Sequence, residues 1–146
     1  MKTLFKPIVI AAGAVLSCAA LSSCSEKAKQ ERAAESAAET AVDVTEDYCE
    51  LLESIKDKES AQKAIAKMDG LADKFAKVAE KSKKAGDTPP DAKAQAKMTE
   101  DMKPLQDRMT KAVMSAMPII ATDPELQKAF TDKMTLIGTK MAEASK

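Results

Sequence analysis

Residues 61–91 read AQKAIAKMDGLADKFAKVAEKSKKAGDTPPD. Ile65, Met68, Leu71, Ala72, Phe75, Val78 and Ala79 recur at three- and four-residue spacing, so they share one broad face of an α-helix. Gly70 falls on the opposite face, where it costs about 1 kcal/mol relative to alanine. Lys81, Lys83 and Lys84 complement the negative end of the helix dipole, and Gly86 is suited to the residue just past the end. Thr88-Pro89-Pro90-Asp91 then reads as a restart, with Thr88 as N-cap, the prolines in the first turn and an acid three residues on. Gly86 to Thr88 therefore predicts a tight reversal between two helices, an αα-hairpin.

The same periodicity extends in both directions. Upstream, Val44, Tyr48, Leu51, Leu52 and Ile55 mark a helix from about Asp43 to Lys56. Its stripe loses phase at Lys58, Glu59 and Gln62, which predicts a turn with Asp57 or Ser60 as the next N-cap. Downstream, Met98, Met102, Leu105, Met109, Val113, Ala116 and Ile120 mark a third helix, with Pro104 and Pro118 expected to kink or break it. Thr122-Asp123-Pro124-Glu125 fits a capping box, and Leu126, Phe130, Met134, Ile137 and Met141 form the last stripe. Four amphipathic helices with short connections predict an all-α fold, a small antiparallel up-down helical bundle. The alternative is a long helical hairpin that completes its core as a homo-oligomer.

The N-terminus carries an address. Lys2 and Lys6 precede an apolar run from Ile8 to Leu16, followed by small residues as far as Cys24. That is the layout of a secretory signal, too short in its apolar part for a stop-transfer helix. Leu21-Ser22-Ser23-Cys24 resembles the lipobox of bacterial lipoproteins. The resemblance implies cleavage before Cys24 and lipid on its thiol. Val15-Leu16-Ser17-Cys18 matches less well, because Leu16 is bulky at the second position before the cysteine. Ser25 rather than aspartate follows Cys24, which in the sorting rule of enteric lipoproteins favours the outer membrane, facing the periplasm.

The expected division is a signal peptide over 1–23, a lipidated cysteine and tether over 24–42, and a helical bundle over 43–146. Residues 25–42, SEKAKQERAAESAAETAV, have almost no large apolar side chain and read as an Ala/Glu/Lys-rich tether. Over the bundle, Ser54-Ile55-Lys56-Asp57, Ser60-Ala61 and Asp123-Pro124-Glu125-Leu126 resemble stretches of small helical lipoproteins and secreted proteins of Gram-negative bacteria. That resemblance brings no activity with it.

Composition narrows the chemistry. The chain after residue 23 carries 21 basic and 23 acidic residues, so nothing points to nucleic acid. Histidine is absent, which removes histidine-based zinc sites, histidine-ligated haem and Ser-His or Cys-His catalytic pairs. No CxxC motif and no glycine-rich phosphate loop occur. No catalytic residues and no cofactor are expected.

Three sets of residues are singled out. Met98, Met102 and Met109 lie on one helix face and are read as core filling, with soft thioether ligation of Cu(I) as the alternative. Met114 and Met117 lie off that stripe, so Lys111 to Ala121 is apolar nearly all round; cover by another helix of the chain is favoured over an exposed interaction surface. Cys49 falls about 110° from the centre of its stripe. It reads as a half-buried hydrophobe at the edge of the core, or as one half of an intermolecular disulfide. The resulting expectation is a lipid-anchored envelope lipoprotein with a non-catalytic scaffold or protein-interaction domain. A periplasmic small-ligand or Cu(I) carrier is the alternative.

Overall fold

The computed structural model describes residues 24–146; the expected signal peptide over 1–23, with the three residues before Cys24 that resemble a lipobox, lies outside the described residues. Four helices follow in order: α1 Cys24–Glu53, α2 Lys58–Ala85, α3 Ala92–Ala121 and α4 Pro124–Ala144. No strand occurs among the described residues. The fold is a small all-α bundle.

Cross-helix hydrogen bonds and ion pairs give the directions. Along α1 and α2, Asp47 meets Lys74, Ser36 and Thr40 meet Lys81, and Gln30 meets Thr88 beyond the end of α2, so these helices are antiparallel. Along α2 and α4, Lys58 meets Asp123, Asp69 meets Lys133 and Asp73 meets Lys140, so these two run parallel. Helix α3 climbs beside α1, with Leu105 and Arg108 against Cys49 and Glu53. Consecutive helices thus alternate in direction, but sequence neighbours are not always packing neighbours. Helix α1 packs on α2 and α3, and α2 packs on α1 and α4, whereas α2 and α3 barely touch. The expected hairpin across Gly86 is therefore a reversal between helices on opposite sides of the bundle. Two prolines after the turn hold the chain extended and carry it across before α3 begins.

The core is built from Val44, Tyr48 and Leu52 of α1, Ile55 of the α1–α2 connection, Ile65, Met68 and Leu71 of α2, Ile120 of α3, and Leu126, Phe130 and Ile137 of α4. Alanines sit where helices approach most closely: Ala61, Ala72 and Ala116 are wholly buried. Small residues at a crossing let the axes come closer.

The tether of the sequence reading is corrected by α1. That helix runs unbroken from Cys24, and Ala34, Ala37 and Ala38 are buried. Alanine has the highest helix propensity and loses no side-chain entropy on packing. An alanine face can therefore dock without large apolar side chains. The Lys81 ammonium, donating to the hydroxyls of Ser36 (2.9 Å) and Thr40 (2.8 Å), fixes its register.

Helix starts also differ from expectation. Asp57 does cap α2: its carboxylate accepts from the Ser60 N–H at 2.8 Å, and the Ser60 hydroxyl oxygen accepts in return from the Asp57 N–H at 2.9 Å. Helix α3, however, is capped by Asp91, which accepts from Ala94 N–H at 2.6 Å, and not by Thr88. Pro89 precedes a proline and so disfavours the helical conformation that a first-turn residue would need. Asp123, not Thr122, caps α4, accepting from the N–H groups of Glu125 and Leu126.

Pro104 and Pro118 lie inside α3 without ending it. Each frees the carbonyl four residues earlier, at Glu100 and Met114. All four residues are exposed, so water can take those carbonyls.

These groups set the pH range of stability. The Ser60 N–H and hydroxyl hold the Asp57 carboxyl below the usual range, and Lys58 together with two backbone N–H groups does the same for Asp123. Their folded pKa values lie below those of the unfolded chain, so this stabilisation is present above about pH 4 and is lost as pH falls further. At the other extreme, burial pushes the Tyr48 phenol up to about 12. Its contribution is whole below about pH 10 and disappears as pH rises towards 12. Urea midpoints should form a plateau between those limits. Asp123→Asn should flatten the acid side, and Tyr48→Phe the alkaline side.

Candidate functional site

Cys49 is wholly buried between α1 and α3, deeper than its place on the helical wheel implied. The reason lies in α3, which covers the flank of α1 outside the main stripe. The Cys49 thiol faces the Leu105 carbonyl at 3.8 Å. Beside it, the Arg108 guanidinium grips Glu53 through two hydrogen bonds of 2.7 Å and reaches Glu46 at 3.4 Å. Burial pushes the thiol pKa up, Arg108 opposes this, and Glu53 and Glu46 add to it. A protonated, enclosed thiol is a poor nucleophile. The intermolecular disulfide at Cys49 is thus corrected: in the closed fold no second chain can reach its sulfur.

The methionines separate. Met109 is half-buried and packs on the core, while Met98 and Met102 are half-buried higher on α3, away from that cluster. At 1.5 Å of rise per residue, Met98 and Met109 stand about 16 Å apart along the axis. One ion cannot take both thioethers, so the three do not form a single site. Among the described residues, no group of three or more Cys, Asp or Glu is gathered as a metal site.

Met117 is half-buried and packs against the core. Met114 is 71% exposed and is the one large hydrophobic residue so exposed among those described. The favoured intrachain cover for Met114 is therefore corrected. The apolar band of Lys111 to Ala121 is buried only on the side that faces α1 and the core. Met114→Glu should leave the melt within about 0.5 kcal/mol of the parent, as expected of a surface substitution. A large destabilisation in thermal or urea unfolding would contradict the exposure.

Two open grooves lie on the surface of the described residues, one between Glu80, Lys83, Lys84 and Ala144, the other along Asp47, Leu51, Lys67 and Lys74. The Arg108 clamp on Glu53 and the Lys81 clamp on Ser36 and Thr40 were not legible in sequence, because each pair is more than 40 residues apart. No helix among the described residues is long and apolar enough to cross a membrane. Comparisons with protein-family models, curated proteins and solved structures returned no match to this chain.

Proposed function

We propose that the chain is the precursor of a membrane-anchored envelope lipoprotein, lipidated at Cys24, whose bundle serves as a non-catalytic scaffold or protein-interaction domain. The observation that carries the proposal is the N-terminal layout: two lysines, an apolar run, and Leu21-Ser22-Ser23-Cys24. The bundle is consistent with it. Helix α1 begins at Cys24, so an anchor there would be joined to the packed domain by continuous helix. From Cys24 to Ala34, the first buried residue, the helix rises about 15 Å. The domain would stand close to the bilayer instead of swinging on a long flexible linker.

Intact mass of the protein purified from membranes tests the address. The chain should begin at Cys24 and carry the added mass of acyl chains. An unmodified Cys24 at the N-terminus, or cleavage elsewhere, would overturn the assignment.

The carrier alternative is separated by metal titration. A ligand that binds only the folded state raises stability by RT ln(1 + [L]/Kd). With Met98 and Met109 too far apart to share an ion, Cu(I) under reducing conditions should leave the melting temperature unchanged. A rise that Met98→Leu with Met102→Leu abolishes would favour the carrier.

A further inference from the structure

We infer that the end of the bundle nearest Cys24 is a docking surface for an anionic phospholipid bilayer. The inference rests on the lipid-anchor proposal. The Thr88 hydroxyl donates to the Gln30 side chain at 2.9 Å, so the α2–α3 connection lies beside the first two turns of α1. Gln30 is six residues from Cys24, a rise of about 9 Å. The C-terminus of α4 reaches the same end, where Ala144 shares a groove with Glu80, Lys83 and Lys84.

Charge is divided along the bundle axis. At that end, in residues 24–38, 80–94 and 144–146, eight cationic side chains stand against six anionic ones. The rest of the described chain has thirteen cationic against seventeen anionic. Pairing sharpens the contrast. Every ion pair found among the described residues lies outside that end. Lys27, Lys29, Arg32, Lys83, Lys84 and Lys93 are all exposed and turn their charge to solvent.

A lipid on Cys24 would place these cations near the headgroups. At physiological ionic strength the Debye length is about 8 Å, comparable with the rise of about 5–12 Å from Cys24 to Lys27, Lys29 and Arg32. Cations at that distance are attracted by an anionic leaflet, while the acidic far end is repelled. The combination orients the bundle: α1 stands off the surface, the α2–α3 connection faces the headgroups, and the acidic end points away.

The test uses the mature lipidated protein in vesicles of phosphatidylcholine alone or mixed equally with phosphatidylglycerol. Lysines are acetylated with a neutral reagent and the rates are read by mass spectrometry. In the phosphatidylglycerol vesicles, Lys27 and Lys29 should react several-fold more slowly relative to Lys63 and Lys128 at the far end. The protection should vanish in phosphatidylcholine, and also at about 1 M salt, where the Debye length falls to about 3 Å. Lys83→Glu, Lys84→Glu and Lys93→Glu combined should remove the protection of Lys27 and Lys29 in the phosphatidylglycerol vesicles. These positions are exposed, and an unchanged helical spectrum would confirm that the variant is folded. Equal rates in both vesicle types, with Cys24 acylated, overturn the docking surface and leave the anchor intact. A Cys24 without acyl chains, in protein that does not float with phosphatidylcholine vesicles, overturns the anchor and the docking surface with it.

Discussion

Replacing Leu52 with alanine is expected to lower stability by about 2–5 kcal/mol. Leu52 is 2% exposed and lies in the cluster that joins α1 to the other helices. Truncation removes the transfer free energy of its lost methyl and methylene groups. It also leaves a cavity that the packed helices around it can only partly fill. Leu51, its neighbour in sequence, is only partly buried, so Leu51→Ala should cost distinctly less. The measurement is a pair of urea unfolding curves on the chain from residue 24. If the two variants shift the midpoint equally, the assignment of Leu52 to the centre of the core is wrong. A loss of this size is a large share of the 5–15 kcal/mol typical of small domains, so Leu52→Ala should also increase susceptibility to proteolysis.

Changing Cys24 to alanine is expected to abolish membrane attachment altogether. Among the described residues no helix is long and apolar enough to cross a bilayer. Burial of acyl chains is worth about 0.8 kcal/mol per methylene, and two or more chains make attachment stable where one is marginal. The cationic end near Cys24 can orient the protein, but surface charge alone is screened by salt and cannot replace that burial. Triton X-114 partitioning reads the result directly. The parent protein should enter the detergent phase and Cys24→Ala the aqueous phase, with the acyl mass missing from the variant. A variant that still partitions into detergent would show that attachment resides elsewhere, and the lipoprotein assignment would fail.

Much of the fold was legible in the chain because its signals are local. A stripe such as Ile65, Met68, Leu71, Ala72 and Phe75 depends only on helical periodicity. Lys83, Lys84 and Gly86 mark the end of α2 through the dipole and backbone geometry of that one turn. Asp57 with Ser60 likewise satisfies orphan N–H groups within four residues. Helix number, the three connections and the all-α class followed from such signals alone. The absence of histidine excluded whole classes of chemistry in the same way.

Tertiary structure decided what depends on a partner distant in sequence. Ala34, Ala37 and Ala38 carry too little apolar surface to announce a buried face, yet they are buried because α2 and its Lys81 lie against them. Cys49 sits off its stripe, and only the position of α3 determines that it is enclosed. Met114 showed the converse. Its apolar surroundings on the helical wheel favoured cover, but among the described residues no element packs on that side of α3, and it remains 71% exposed. The spatial order of the helices was hidden for the same reason. A short connection fixes where the next helix starts and its approximate direction, while the neighbour it packs on depends on surface complementarity across the whole bundle. Sequence periodicity thus determines which face of each helix is apolar; only assembly determines what, if anything, covers it.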